Sequence, residues 1–292
     1  MSARVLENGR QAFLNKLIDF SGDTIMSKLL DMMTTEDTWT KKVTSCTGAA
    51  SPITITRNGH GNANGDIVVV GGVGGNLSAN QLARCANVAT NTFELQTCTG
   101  SPALAMTGNA AYTSGGYFIN LTQLAYLADA DGSSVGTDVA LASKTIVNGV
   151  AFAATWTHVL VPAQTNPIVG LLLYKSTGLS STSPAFFWQD GKTQVVIAKA
   201  VAMSDTSVAV EPLQAAIDNL TVLYMSNGQT LTLAGAASFG DRLLTVSAAP
   251  GAVPAGHTAD VYVSGANLPF TPNGGSISVT PASTADYGLF KI

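Results

Sequence analysis

From Lys41 onward the apolar runs of this chain are short, rich in β-branched residues and closed by turn clusters. "SPITIT" runs into Asn58-Gly59, "DIVVV" into "GGVGG", and "PIVGLLLY" into the polar loop "KSTGLSSTS". Apolar runs of about four to eight residues between such clusters are the signature of strands, since a helical period needs about ten residues to show itself. The chain is therefore expected to be mainly β. One segment differs. Val5, Phe13, Leu14, Leu17 and Ile18 recur at helical spacing, which predicts a helix over 4–19. After "SGD" (21–23), Ile25, Met26, Leu29, Leu30 and Met33 make a second apolar face; Ser21 or Asp23 could cap a helix there, while Thr24 and Ile25 equally permit a strand.

Charge narrows the class of partner. Only 11% of the residues are charged, where an ordinary soluble domain carries roughly 25%. Such a neutral surface suits a subunit packed among many copies better than a free enzyme. A net charge of −4 and a pI near 5.2 offer no basic stripe to displace counterions, so no nucleic-acid partner is expected. The opening "MSARVLENGRQAFLNKLIDF" is charged throughout, unlike a secretory signal, and no apolar run approaches the roughly 18 residues of a membrane span. A soluble chain with no membrane partner is expected.

The stretch "NGHGNANGDIVVVGGVGGN" (58–76) raises the question of an enzyme. A phosphate loop needs glycines that end at a helix N-terminus and usually a Lys for the terminal phosphates. No Lys occurs between Val43 and Gly100, and "GGVGG" (71–75) lacks the spacing of a dinucleotide fingerprint. The stretch reads as a β-turn beside a strand, with no cofactor. A hydrolase would need a nucleophile, a base and an orienting acid brought together. His60 and His257 lie in Gly-rich turns and His158 follows Trp156 in an apolar strand, so all three read as structural, and no nucleophile elbow is expected. Asp129, Asp131 and Asp138 echo the start of a calcium loop, but Ala140 stands where the final Glu belongs, which excludes an EF-hand.

Cys46, Cys85 and Cys98 do not make a zinc set, which would want four ligands at short paired spacings. No metal is expected. "TSCTGA" and "QTCTGS" place Cys46 and Cys98 in similar contexts, so they could face each other on neighbouring strands; buried free thiols are the preferred reading.

Residues 41–116 combine an Asn/Gly-rich turn, Gly65-Asp66, the run "IVVV", "GVGG" and "TNTFELQ". This order resembles the small β-modules of tailed-bacteriophage structural proteins. The rest resembles one phage virion family: Gly9–Leu14 ("GRQAFL"), "LASKTIV" (141–147), "LLYKSTG" (172–178) followed by Ser183-Pro184, and "TPNGGSISV" (271–279) with "LFKI" (289–292). The resemblance implies a β-sandwich domain with an N-terminal helix and two inserted small β-modules. Residues 1–40 hold the helix and the start of the host domain, 41–116 the first insert, 117–198 the host sandwich, 199–263 the second insert, and 264–292 the closing strands. Inserts are tolerated at exposed loop tips, so both are expected to project from the host.

The family implies a non-enzymatic virion protein made in the host cytoplasm. It would decorate or cement the head, or form a collar or fibre anchor, with other virion proteins (capsid, neck or tail subunits) and copies of itself as partners. Expected packing anchors are Phe13, Leu14, Leu17, Leu172, Tyr174, Phe186, Trp188, Ile277 and Phe290. The alternative is a tail or fibre protein that binds a host receptor or glycan, whose mark would be exposed aromatics on the inserts: Phe93, Tyr112, Tyr224, Phe239 and Tyr262. The C-terminal "LFKI" strand is a candidate exchange element between copies.

Overall fold

A computed structural model describes residues 3–31, 40–99, 102–130, 135–160, 167–262, 276–279 and 290–291. They fall into two compact units that the chain visits in turn. The host unit takes Ala3–Trp39, Thr122–Asp190 and Asn267–Ile292; the inserted unit takes Thr40–Leu121 and Gly191–Ala266. The chain starts in the host unit with β1 (Ala3–Val5), α1 (Glu7–Leu14) and β2 (Ile25–Asp31). It crosses to the inserted unit for β3 (Thr40–Lys42), β4 (Ser45–Cys46), β5 (Thr54–Thr56), β6 (Ile67–Gly74), β7 (Leu82–Ala86), β8 (Thr92–Gln96) and β9 (Ser114–Asn120). The host unit resumes with β10 (Val139–Ala140), β11 (Thr145–Val147), β12 (Val150–Phe152), β13 (Trp156–Val159), β14 (Ile168–Lys175) and β15 (Ala185–Gln189). The inserted unit then adds β16 (Lys192–Val196), β17 (Ser207–Ala209), β18 (Val222–Tyr224), β19 (Thr230–Thr232), β20 (Leu243–Thr245) and β21 (Thr258–Tyr262) before β22 (Ser276–Val279) and β23 (Phe290–Lys291) return to the host. The fold is mainly β, and no helix among the described residues is long and apolar enough to cross a membrane.

In the host unit a five-stranded antiparallel sheet runs in the order β1-β15-β14-β2-β10. β15 is buried throughout and β14 from Ile168 to Tyr174, which is why "IVGLLLY" and "AFFW" are continuous apolar runs without alternation. One irregularity shapes the pairing of β14 with β15. The pairing steps from Leu173↔Phe187 to Tyr174↔Ala185, so Phe186 is the extra residue of a bulge and joins the same apolar cluster as its neighbour Phe187. Ile25, Leu29, Leu171 and Leu173 of the sheet meet Ala151 and Trp156 of β12 and β13 in that cluster, a two-layer β core.

The segment 24–33, open between helix and strand in the sequence, is strand β2 over Ile25–Asp31; Met33 lies outside the described residues. The helix is shorter than 4–19. Lys16 adopts the left-handed region (φ 56), and the N–H groups of Lys16 and Leu17 bond the carbonyls of Phe13 and Ala12 at 3.0 and 2.8 Å. That pair of bonds is a Schellman close, and it stops the helix without a glycine to announce it. Two expected packing anchors, Leu14 inside the helix and Leu17 past its end, are 70% and 60% exposed. The buried face is made of small residues instead, Gly9 and Ala12, with Phe13 half-buried and edge-on to Phe186 at 5.3 Å. Leu172, Tyr174, Phe186 and Trp188 are buried, and Ile277 packs partly buried against the host cluster. Phe290 pairs with Ala151 in the same chain; its side chain lies outside the described residues.

The inserted unit holds a seven-stranded antiparallel sheet, order β3-β9-β6-β7-β8-β5-β4, around Ile53, Ile55, Val68, Phe93, Leu95 and Phe118. Its second part forms three short antiparallel pairs, β16 with β21, β17 with β20 and β18 with β19, around a separate cluster that includes Val208, Leu223, Leu231 and Leu244. A recurrent turn precedes the strands. Asp66, Asp205 and Asp241 each accept the N–H three residues earlier, from Ala63, Ala202 and Ser238, at 2.8 to 2.9 Å. The carboxylate thereby satisfies a backbone donor that the turn leaves unpaired. The two stretches that the sequence separates as independent modules belong to one unit. Their apolar clusters are distinct, and polar contacts join them.

A methyl group on Gly9 would overlap the Cα, Cβ and carbonyl oxygen of Phe186. Gly→Ala in a helix ordinarily gains roughly 1 kcal/mol, whereas overpacking costs roughly 1–3 kcal/mol. Gly9→Ala is therefore expected to destabilise the chain in a urea titration; a stabilised variant would show that α1 is free to lift off β15.

Candidate functional site

The join within the inserted unit is built from Gln81 and Asp260. Gln81, buried just before β7, donates from Nε2 to the carbonyls of Ser78 at 2.9 Å and Tyr224 at 3.0 Å. Its Oε1 accepts from Thr258 Oγ1 at 3.0 Å. On β21, Asp260 uses one carboxylate oxygen to accept the Leu82 N–H at 2.7 Å and the other to accept Gln194 Nε2 at 3.0 Å. The Thr107 N–H adds a bond to the Ser226 carbonyl at 2.7 Å.

This join opens into a cleft of about 390 Å³. Gly72, Leu77 and Asn80 line it from the first stretch, and Lys192, Asp218, Thr221, Val222, Tyr224, Asp260, Val261 and Tyr262 from the second. Neither stretch holds the cleft alone. Lys192 is buried, with Nζ 3.4 Å from the Asn80 carbonyl and 5.3 Å from the centroid of the Tyr262 ring. Asn80 is pinned through its amide to both N–H and C=O of Val73, at 2.8 and 2.9 Å. Of the aromatics proposed as exposed, Phe93 is in the core, while Tyr112 and Phe239 are half-buried. Tyr224 and Tyr262 reach the cleft.

The glycines of "GGVGG" have a steric reason. All but Gly75 lie in strand β6, and a Cβ on Gly71 would come within 2.6 Å of the Tyr117 ring. Only a three-residue 3-10 turn, Leu77–Ala79, follows them. In the preceding loop, Asn120 Nδ2 donates to Asn62 Oδ1 at 2.9 Å and to Asp66 Oδ2 at 2.6 Å. His60 accepts the Asn62 N–H on Nδ1 at 3.0 Å and therefore donates from Nε2 to the Ala89 carbonyl at 2.8 Å.

Two Ser–His pairs form elsewhere. In the host unit His158 Nδ1 donates to the Thr137 carbonyl at 3.2 Å, leaving Nε2 to accept from Ser27 Oγ at 2.9 Å. The polarity matches that of a hydrolase dyad. Both side chains are 0% exposed, however, so no substrate carbonyl reaches Ser27. In the inserted unit Ser226 Oγ accepts the Thr258 N–H and donates to His257 Nδ1, each at 2.9 Å. Burial lowers the pKa of both imidazoles; for His158 the Thr137 carbonyl and Asp138 oppose the shift.

Residues 132–136 do have Gly-x-Ser-x-Gly spacing in the sequence, against the expectation of no elbow. An elbow requires strand, turn and helix in succession, whereas here the chain runs from a 3-10 turn, Leu127–Ala130, toward strand β10. Ser134 lies outside the described residues, as does Asp131. Asp129 closes its own turn through the N–H groups of Ala125 and Tyr126, and Asp138 accepts from Tyr174 Oη at 2.6 Å with Lys28 Nζ 3.6 Å away. No cluster of three metal-binding side chains occurs among the described residues. None of the three cysteines is in a disulfide. Cys46, on β4, and Cys98, past the end of β8, do not face each other on neighbouring strands, because β5 lies between. Burial raises the Cys46 thiol to about 11 and the Cys85 thiol to about 12.

No family model, curated protein or solved structure matches this chain. The reading of function therefore rests on residues and geometry.

Two outcomes follow from the join and from the buried histidines. Asp260→Ala strands the Leu82 N–H and Gln194, and unsatisfied buried donors cost roughly 1–3 kcal/mol each; guanidinium unfolding is expected to show a loss of about that size, and an unchanged midpoint would remove Asp260 from the join. Because folding holds His158 and His257 below their ordinary value of 6.5, the unfolded chain binds protons that the folded chain refuses. Stability is then full above about pH 6.5 and falls as the pH drops below it, an effect that His158→Gln together with His257→Gln should flatten in a pH series of melting temperatures.

Proposed function

We propose that this chain is a non-enzymatic structural component of a tailed-phage virion, an accessory head, collar or fibre-anchoring protein that works by subunit packing. The observation that carries the proposal is the edge strand β11 of the host unit. Thr145, Ile146 and Val147 are all exposed, and the sheet order β11-β12-β23 leaves the outer side of β11 with no strand partner among the described residues. β-Branched edges of this kind invite pairing with another chain, and a free soluble protein blunts them with charge, Pro or a bulge. Here the hairpin is tight, with Asn148 and Gly149 both at positive φ, and it presents the strand unblunted. Leu14, Leu17, Val159 and Leu179 add exposed apolar area to the same unit. The charged fraction of 11% supports the same reading, as do the segments that resemble phage virion proteins. Partners are other virion proteins and further copies of the chain.

Light scattering after size exclusion is the test. The purified chain is expected to be an oligomer, to bind tailed-phage heads or tails on mixing, and to drop in mass on Ile146→Lys with its circular dichroism unchanged. A chain that stays monomeric at high concentration and binds neither particle would overturn the proposal.

A further inference from the structure

We propose that the cleft at the join of the inserted unit is a carbohydrate site that holds one pyranose ring. The inference places the glycan-binding alternative raised by the sequence at a specific cleft, and it does not depend on the packing role proposed for the host unit. A volume of about 390 Å³ lies at the small end of ligand pockets, enough for one sugar ring and too little for an extended peptide. The lining combines two phenol rings with short polar side chains. Tyr262, 40% exposed at the end of β21, offers a ring face to the C–H face of a sugar, and Tyr224 adds a second phenol. Lys192 Nζ stands 5.3 Å from the Tyr262 centroid, a cation–π contact that holds the ring in place. Asp218 and Thr221 bring a carboxylate and a hydroxyl to the lining beside those rings, groups that bond sugar hydroxyls.

Other ligand classes fit less well. A phosphate or other anion would sit beside two carboxylates, Asp218 and Asp260, with Lys192 already directed at Tyr262 and the Asn80 carbonyl. A metal ion would need converging oxygens, whereas both carboxylate oxygens of Asp260 accept N–H groups of the join. A neutral ligand with hydroxyls on its rim and C–H groups on its face matches what remains.

The test is saturation-transfer NMR on the full chain with glucose, galactose, N-acetylglucosamine and rhamnose at millimolar concentration. At least one sugar is expected to receive saturation, strongest on its ring C–H protons. Tyr262→Ala should weaken binding at least about tenfold, Tyr262→Phe should retain it, and Asp218→Asn should change which sugar is preferred. Melting temperatures confirm that each variant is folded; Tyr262 is at an exposed strand end, so its replacement spares the core. No transfer to any of the four sugars, or transfer that survives Tyr262→Ala in folded protein, would overturn the assignment.

Discussion

Asp260 stands where two separate hydrophobic clusters have to behave as one body. The cluster around Phe93 and Phe118 and the cluster around Leu223 and Leu244 are distinct. What binds them is a carboxylate with each oxygen on a different donor, and the amide of Gln81 beside it with donors and acceptor all engaged. Polar contacts of this kind are directional, and they lose more when half broken than they gain when complete. The relative placement of β7 and β21 is therefore set within narrow limits. The cleft depends on that placement, because Asn80 reaches it from one stretch and Tyr262 from the other.

Much of the architecture was legible in the sequence, for reasons that can be named. A strand buried on both faces has to be written as an unbroken apolar run, and "IVGLLLY" and "AFFW" are such runs. Turns that need positive φ advertise themselves through Asn-Gly, as at Asn148-Gly149. Other features leave no local mark. Lys16 ends the helix in a conformation for which Gly is the usual signal, so the apolar spacing runs on through Leu17 with no stop written into it. Helical spacing also put the larger side chains inward, whereas α1 approaches β15 through Gly9 and Ala12, and Leu14 stays outside. The bulge at Phe186 reverses the alternation that a strand pattern assumes.

The candidate site was less legible than the fold. Tyr224 and Tyr262 stood out as aromatics, but nothing near either residue shows that they share a cleft with Asn80. Gln81 and Asp260 look like ordinary surface residues in the sequence, since their partners lie in the other stretch of the chain. The glycine-rich stretch at 58–76 shows the opposite case. It attracts attention as a phosphate loop, yet its Gly71 makes room for the Tyr117 ring and its Asn62 and Asp66 both accept from Asn120.

The order of the host sheet also governs when the chain can fold. β1 pairs with β15, and β2 with β14, although the whole first inserted stretch lies between them in the chain. Pairing across such a separation is slow, because the loop must close before any contact rewards it. During synthesis β1 and β2 emerge early and wait for partners that are made much later. By contrast the seven-stranded sheet of the inserted unit draws all its strands from one continuous stretch and can close first. β1 and β2 are thus made before their partners and are among the last strands to be paired.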